Sequence, residues 1–433
     1  MVRHKYSGEV RTSNQGVESK LSIFHAYDIR GIYPKEINED IAYRIARAFV
    51  HVTKAKKVLI GRDTRTSSPT LYEHAIQGIR HSGAQPVLLG TCSTPAFSWT
   101  LAKMKLDAGM MITASHNSKE YNGVKLYGEH ASAMGIGTGL DEVERAMNIK
   151  RTPSIKKKKV ARASNNEYIR FLKKNAPKKI VKKYVVDASG GPAGHELLSL
   201  KLPKTTIINA MPDPEFKAHS PNPLEENATA QLKSAVESLK ASAGFILDGD
   251  ADRVLVVDEQ GNTVHPNYLA AFIIDRLPKG STVVVDATSS RTIIEVARKK
   301  KIKLILSPVG RSNVLERMKK HEAIFGSESS GHYFHKDCYY LDNGILTMLK
   351  TMKHLEKSNR TVSELLKQYQ KYQIQDVVLK NTTMDKVIKA LNPQKTTRKF
   401  DGISFETKDS WGYVRQSNTE PVVRLRIETK GKY

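Results

Sequence analysis

Along this chain, short apolar runs alternate with stretches whose apolar positions recur every three to four residues. That alternation predicts β-strands feeding amphipathic helices. The first such stretch reads "KKVLIGRD", then "SPTLYEHAIQGIRHSG", then "QPVLLG". A second runs through "KKYVVDASGG", "GHELLSLKL", "TTIIN", "TAQLKSAVESLKASAG" and "FILDGDADR". A third runs through "PNYLAAFIIDRL", "STVVVDAT", "RTIIEVARKKK", "KLILSPVG" and "VLERMKK". Strand and helix in turn argue for three parallel α/β units, hinting at a diverged internal repeat. After about residue 372 the rhythm changes, and "QDVVLK", "MDKVIKAL", "GISFET" and "VVRLRIE" predict a smaller α+β piece. The expected division is 1–150, 151–255, 256–372 and 373–433, with the first boundary marked by the Pro- and Lys-rich "RTPSIKKKKV".

The chain has 433 residues, 39% hydrophobic and 7% aromatic, enough for several buried cores. No run approaches the ~20 uncharged apolar residues of a membrane helix. The opening "MVRHKYSGEVRTSNQ" lacks the apolar segment of a secretory leader. Cys92 and Cys338 lie far apart without metal-type spacing, which fits a reducing compartment. The expectation is a cytoplasmic protein without a membrane partner. A formal net charge of +26 favours anionic partners. The lysines are scattered in pieces such as "KKIVKK" and "RKKKIK", with no zinc-finger, RRM or homeodomain signature. Nucleic acid is therefore not the expected partner, and phosphorylated metabolites remain.

The candidate chemistry narrows this further. "FILDGDADRVLVVDE" sets Asp248, Asp250 and Asp252 at alternate positions after an apolar strand. Three carboxylates so close repel one another and drive their pKa values upward unless a cation lies between them. All-oxygen ligation suits Mg²⁺ or Ca²⁺. An EF-hand loop needs Gly at its sixth position, where this chain has Arg253, and "VLVV" reads as a strand; Mg²⁺ is the expectation. "YVRQSNTEPVVRLRIE" offers Arg415, Ser417, Asn418 and Thr419 within five residues, a dense donor set for one phosphate dianion. "GSESSGHYF" supplies Glu328, Ser330 and His332, of which the carboxylate and hydroxyl can pair with adjacent sugar hydroxyls. "SPVGRSN" ends a strand and opens a helix, where ligands collect in α/β units, and carries Arg311.

"TASHNSKEYNGVK" holds Ser115 beside His116. Sequence neighbours do not face each other on a regular element, and no G-x-S-x-G elbow surrounds the serine, so a hydrolase pair is not expected. Its polar and cationic surroundings (Thr113, Asn117, Asn122 and Lys125) suit a serine that carries phosphate. A phosphoserine beside Mg²⁺ on three aspartates, facing a separate phosphate clamp, is a phosphoryl-transfer centre.

These motifs, with "FHAYDIRGIYP", "GRDTRTSS", "VVDASGGP", "PNPLEEN" and "DNGILTML" in order, make the chain resemble the α-D-phosphohexomutases of the phosphomannomutase/phosphoglucomutase group. The likeness runs from residue 24 to 428. It implies three similar α/β domains with mixed sheets and a smaller C-terminal α+β domain around a central cleft. It implies that Ser115 is phosphorylated and that Asp248, Asp250 and Asp252 hold Mg²⁺ with it, with Arg253 beside the phosphate. Arg30 and Lys125 match acid–base or charge-stabilising residues, His332 a proton-transfer residue, and Tyr27 a positioning residue. Glu328 and Ser330 match sugar-hydroxyl readers; Arg415, Ser417, Asn418 and Thr419 match the clamp on the phosphate that stays. The implied reaction interconverts mannose or glucose 1-phosphate with the 6-phosphate, with a hexose 1,6-bisphosphate as intermediate and activator. Phosphoglucosamine mutation is an alternative, set back by "FHAYDIRG" where those relatives read "FGTDGIRG". A non-catalytic basic binding protein on the same scaffold, and a phosphatase, are further alternatives. Four departures stand out: Ser118 replaces a proline, predicting a less rigid loop; His25 replaces an arginine; Ser327 replaces a glycine; and Arg311 occupies a substrate-specificity turn.

Overall fold

The computed structural model describes residues 23–148, 158–417 and 422–430. Three of its four sheets share one plan, a parallel block closed by antiparallel strands. In the first, Lys57–Arg62, Gln85–Thr91, Ala108–Ile112 and Ala161–Arg162 are parallel, and Tyr121–Gly128 and Ile29–Ile32 return antiparallel. In the second, Tyr184–Asp187, Thr205–Ile208 and Ala243–Leu247 are parallel, followed by antiparallel Val254–Asp258 and Thr263–Val264. In the third, Thr282–Asp286, Lys303–Ser307 and Phe325–Ser327 are parallel and Tyr333–His335 is antiparallel. Runs such as "AGFIL" and "VLVVD" are buried at every position, because helices cover the sheets.

The expected boundary near 255 falls inside Val254–Asp258, which pairs with strands on both sides. The apolar run after the aspartates is the return strand of the same sheet. Ala161–Arg162 likewise joins the first sheet from beyond residue 150. Helix Gly344–Glu356 packs on helix Asn166–Asn175 and on the second sheet, so one apolar core runs through all three units. The fourth sheet, Tyr372–Lys380, Val422–Lys430, Ser410–Gln416, Gly402–Glu406 and Lys395–Lys399 in spatial order, is wholly antiparallel and carries helix Met384–Leu391.

Helix starts are fixed locally. Asn38, Ser93 and Asn343 each accept a backbone N–H from the first turn of the helix they cap. The chemistry-bearing loops follow the carboxyl ends of parallel strands, where α/β sheets place ligands. Residues 113–120 follow Ala108–Ile112, and 248–253 follow Ala243–Leu247. The turn 308–310 and the loop 328–332 follow Lys303–Ser307 and Phe325–Ser327. No helix among the described residues is long and apolar enough to cross a membrane.

Candidate active site

Ser115 sits in its loop with φ 54°, left-handed backbone that costs a non-glycine residue roughly 1–3 kcal/mol. Its surroundings hold it there. Arg65, fully buried, spends four guanidinium N–H groups on carbonyls of this segment and the fifth on Asp63. Nη2 donates to the carbonyls of Ser115 at 2.9 Å and Asn117 at 2.6 Å; Nη1 donates to those of Ser118 at 2.6 Å and Tyr121 at 3.1 Å. Nε is tied to Asp63 at 3.1 Å. Arg30 adds bonds to the Ala114 carbonyl and to Asn117 Oδ1 at 2.5 Å, itself clamped by Asp28. Ser118, expected to loosen the loop, is thus pinned through its carbonyl.

The hydroxyl of Ser115 points at the aspartates. Oγ lies 3.0 Å from Asp250 Oδ1 and 3.5 Å from Asp248 Oδ2. Lys125 Nζ bridges Asp250 Oδ2 at 2.7 Å and Asp252 Oδ2 at 2.6 Å. Thr94, on the helix start of a different unit, donates to Asp250 Oδ2 at 2.5 Å. All three carboxylates are fully buried. Close approach is possible because residue 249 is glycine: a Cβ there would meet the Ser115 carbonyl at 2.6 Å.

Asp248 and Asp252 are shifted in opposite directions. Burial, with Asp252 and Asp250 alongside, pushes Asp248 well above the ordinary carboxylate range. Burial pulls Asp252 the same way, but Lys125 and His332 overcome it and hold that group below its usual range. Burial opposes the charge on Lys125 too, yet Asp250 and Asp252 raise its pKa, so it stays an ammonium. One oxygen from each aspartate lies within 4.8 Å of the others, a spacing that fits a divalent cation. Asp252 Oδ1 is buried without a hydrogen-bond partner among the described residues, an acceptor suited to such a cation.

The opposite wall comes from the third unit. Arg253 Nε donates to His332 Nε2 at 3.0 Å, which puts the ring proton on Nδ1, donated to Asp342 at 2.9 Å. Asp342 also takes Arg311 Nε at 2.5 Å, and Arg311 Nη1 reaches the Tyr127 hydroxyl at 2.9 Å. Tyr27 donates to the Val309 carbonyl at 2.6 Å, and Glu328, its pKa raised by burial, accepts the Gly310 amide at 2.8 Å. Ser330 is half-buried on the same loop, whose Ser329 is tied by its amide to Asp286 at 2.8 Å.

The separation expected of sequence neighbours is not kept at Ser115. His116 Nδ1 comes within 3.4 Å of Ser115 Oγ, because the left-handed turn at Ser115 breaks the alternation that would separate neighbours. Burial, then Arg253, Arg30 and Lys125, hold His116 well below the usual imidazole range, hence neutral. Arg65, Thr94, Asp286 and Asp342 escape the sequence reading. "GRDTRTSS" and "DNGILTML" hold two of them, but nothing in sequence marks Thr94 as a partner of a residue 156 positions away.

The phosphate-clamp candidates lie apart. Arg415 stays in its hairpin, donating to the Gln416 carbonyl at 3.2 Å and standing 3.9 Å from Asp401. Ser417 Oγ accepts from Arg424 at 3.4 Å. Asn418 and Thr419 lie outside the described residues. The C-terminal sheet docks on the third unit through polar bonds. Arg426, paired with Asp376 at 2.6 Å within its own sheet, reaches across to the Thr288 carbonyl at 2.7 Å, Glu428 accepts from Ser290 and the Arg291 amide, and Arg291 pairs with Glu406 at 2.7 Å.

Four family models match in order. They are the phosphoglucomutase/phosphomannomutase alpha/beta/alpha domains I, II and III, over residues 21–151, 166–261 and 265–372, and the C-terminal domain over 374–433. A phosphomannomutase of Methanocaldococcus jannaschii is 32% identical over 94% of both chains, and one of Escherichia coli K12 is 30% identical over 95% of this chain and 96% of that one. A Methanosphaera stadtmanae protein named "Probable phosphoglucosamine mutase" is 32% identical over 96% of each. A crystal structure of a phosphoglucomutase/phosphomannomutase family protein from Burkholderia thailandensis superposes with TM-score 0.85 at 26% identity, over 95% of this chain and 94% of that one.

Proposed function

Because this chain belongs to the phosphoglucomutase/phosphomannomutase family, an isomerase family, we propose that it interconverts hexose 1-phosphate and hexose 6-phosphate, of mannose or glucose. Ser115 carries the travelling phosphoryl group, and a hexose 1,6-bisphosphate is both intermediate and activator. The observation that carries this reading is the Ser115 hydroxyl, 3.0 Å from Asp250 Oδ1 within three buried carboxylates.

In the first half, the bond from phosphorus to Ser115 Oγ breaks as one to the sugar O6 forms; the O6 proton passes to a base and the departing Oγ takes up a proton. In the second, the sugar having turned over, the bond from phosphorus to O1 breaks as one to Ser115 Oγ forms; the hydroxyl proton of Ser115 passes to a base, O1 takes up a proton and hexose 6-phosphate leaves. Both displacements are in line, so positioning and charge stabilisation do most of the work. Mg²⁺ on Asp248, Asp250 and Asp252 would supply Lewis-acid neutralisation of the phosphoryl oxygens. Lys125 and Arg30, held cationic by their carboxylate partners, serve as charge stabilisers rather than bases. The neutral His116, at 3.4 Å from Oγ, is the proton acceptor within reach, and His332, freed from Arg253, is a second proton-transfer group. Arg253 stands beside the phosphoryl group, Glu328 and Ser330 read the sugar, and Arg415, Ser417, Asn418 and Thr419 take the other phosphate.

The Methanosphaera relative makes phosphoglucosamine a second reading at equal identity. One experiment separates them. Mannose, glucose and glucosamine 1-phosphates are followed by ³¹P NMR with Mg²⁺ and a trace of bisphosphate, with Ser115→Ala as control. Growth of a 6-phosphate resonance with wild type alone is expected, the fastest sugar fixing the preference. Three unchanged substrates would sink the proposal.

A further inference from the structure

The aspartate loop rests on a second polar assembly that none of the roles above includes. Two contacts hold its backbone from behind. Ser189 Oγ donates to the carbonyl of Leu247 at 2.5 Å, and Gly249 N donates to the carbonyl of Pro221 at 3.0 Å. Gly191 also packs so closely that a Cβ there would meet the Gly249 carbonyl at 2.4 Å. Both supports return to one carboxylate. Asp187, at the end of Tyr184–Asp187, is fully buried; its Oδ1 accepts the Ser189 amide at 2.8 Å and Asn209 Nδ2 at 3.0 Å. Its Oδ2 takes His219 Nε2 at 3.1 Å, two residues before Pro221.

His219 is nearly buried, its side chain 5% exposed, and its other nitrogen, Nδ1, lies 2.8 Å from the Ser220 carbonyl. A carboxylate and a carbonyl are acceptors only. Satisfying both requires a proton on each ring nitrogen, which is the imidazolium. A neutral ring would turn a lone pair toward one of the two acceptors and lose that bond. Asp187 is the charged group that faces the ring; Asp213, on the same loop, is engaged by the amides of Glu215 and Lys217.

We propose that His219 is a positioning residue, locked as a cation between Asp187 and Ser220, whose charge keeps the backbone of the aspartate loop in the shape that holds the divalent ion. The inference rests on the Mg²⁺-dependent reading above and goes beyond it, since His219 touches neither ion nor sugar. The direction of its titration agrees: burial opposes the charge, but the bond and charge of Asp187 and the Ser220 carbonyl outweigh it and raise the pKa. A raised imidazole pKa gives a contribution complete below about 6.5, the unperturbed value, and lost as pH rises through the folded-state value. Ion binding should therefore weaken toward alkaline pH. That is the opposite of proton competition at carboxylate ligands, which strengthens binding as pH rises.

The test needs no turnover. Mg²⁺ binding to the full chain is measured by calorimetry from pH 6 to pH 9, beside ¹⁵N spectra of histidine-labelled protein that read the protonation of each ring. The expected result is a His219 ring protonated on both nitrogens at pH 7, with Mg²⁺ affinity falling as that ring titrates. His219→Gln should bind Mg²⁺ about tenfold more weakly, what losing a group behind the ligands typically costs, and should lose the alkaline fall. Asp187→Asn, which keeps the shape and removes the counter-charge, should move the His219 midpoint to lower pH. A ring singly protonated at pH 7, or wild-type affinity flat or rising across its titration, overturns the proposal even if both variants fail to fold. A failed mutase assay with the Mg²⁺ profile intact would remove the proposed reaction and leave this inference standing.

Discussion

The centre around Ser115 and the hairpin around Arg415 are both polar sites on loops, yet they are built in opposite ways. At the centre the side chains are buried or half-buried and bonded to residues from other parts of the fold: Lys125 to two aspartates, Thr94 to Asp250, Arg253 to His332. The hairpin is held mainly by its own strands, and its sheet meets the third unit through an ion pair and hydrogen bonds. Such a polar interface can part and re-form at little cost, as an apolar one cannot. The centre is cross-braced between distant segments, whereas the hairpin's sheet is joined to its neighbour by polar contacts. The two tryptophans report on them separately, Trp99 in the main core and Trp411 in the C-terminal sheet.

Four variants would break or sharpen that contrast. Ser115→Ala has the largest expected effect. Turnover should fall to background while both tryptophan signals and the melting temperature stay as in wild type, since one hydroxyl leaves a site otherwise intact. Arg65→Met should come next, because it leaves Asp63 as a buried unpaired charge and frees four carbonyls. Breaking such a pair costs about 3–5 kcal/mol, so the urea midpoint read by Trp99 should drop sharply. An unchanged midpoint would mean the loop holds itself.

Glu196 tests whether the centre's rigidity depends on pH. Its carboxylate is fully buried, accepts the Ser93 amide at 3.1 Å and hydroxyl at 2.6 Å, and so backs the neighbour of Thr94. Burial raises its pKa to about 7 despite those bonds. A raised carboxyl pKa favours the folded state at acid pH, and that advantage disappears as pH climbs through about 7. Glu196→Gln should therefore flatten stability between pH 5 and pH 8 and make the protein about 2–3 kcal/mol more stable than wild type at the upper end. Thermal melts across that range would read it; parallel curves for the two proteins would refute it.

The smallest effect belongs to the hairpin side. Arg426→Gln removes the bond across to the Thr288 carbonyl, worth about 1 kcal/mol, along with the pair to Asp376 inside its own sheet, so KM for the sugar phosphate should rise about fivefold. Trp411 fluorescence should shift while Trp99 does not. A change in Trp99 instead would show that the sheet is part of the rigid core.

Much of this was legible in the residues. Strand and helix order followed from the apolar periodicity, and the aspartates, Ser115 and Lys125 declared themselves by type and spacing. What stayed hidden depends on contacts between distant segments. Thr94 looks like an ordinary helix start and Arg65 like a surface arginine between strand and helix. Asp342 gives no sign that it orients His332 and Arg311 together. The continuation of the second sheet past 255 was hidden for a related reason, since an apolar run does not say which sheet it joins. His116 was set aside on a periodicity argument that a left-handed residue cancels. The Arg415 hairpin was the reverse, conspicuous as a motif but bonded mostly to itself.

Arg65 grips its loop by peptide oxygens alone, at residues 115, 117, 118 and 121. Every amino acid carries that oxygen, so the grip is indifferent to what the side chains above it are. A lineage can exchange proline for Ser118, or alter Lys119 and Glu120 beside it, without moving Ser115. The loop's outer surface is left open to drift, and the requirement for constancy is moved onto one arginine that solvent never meets.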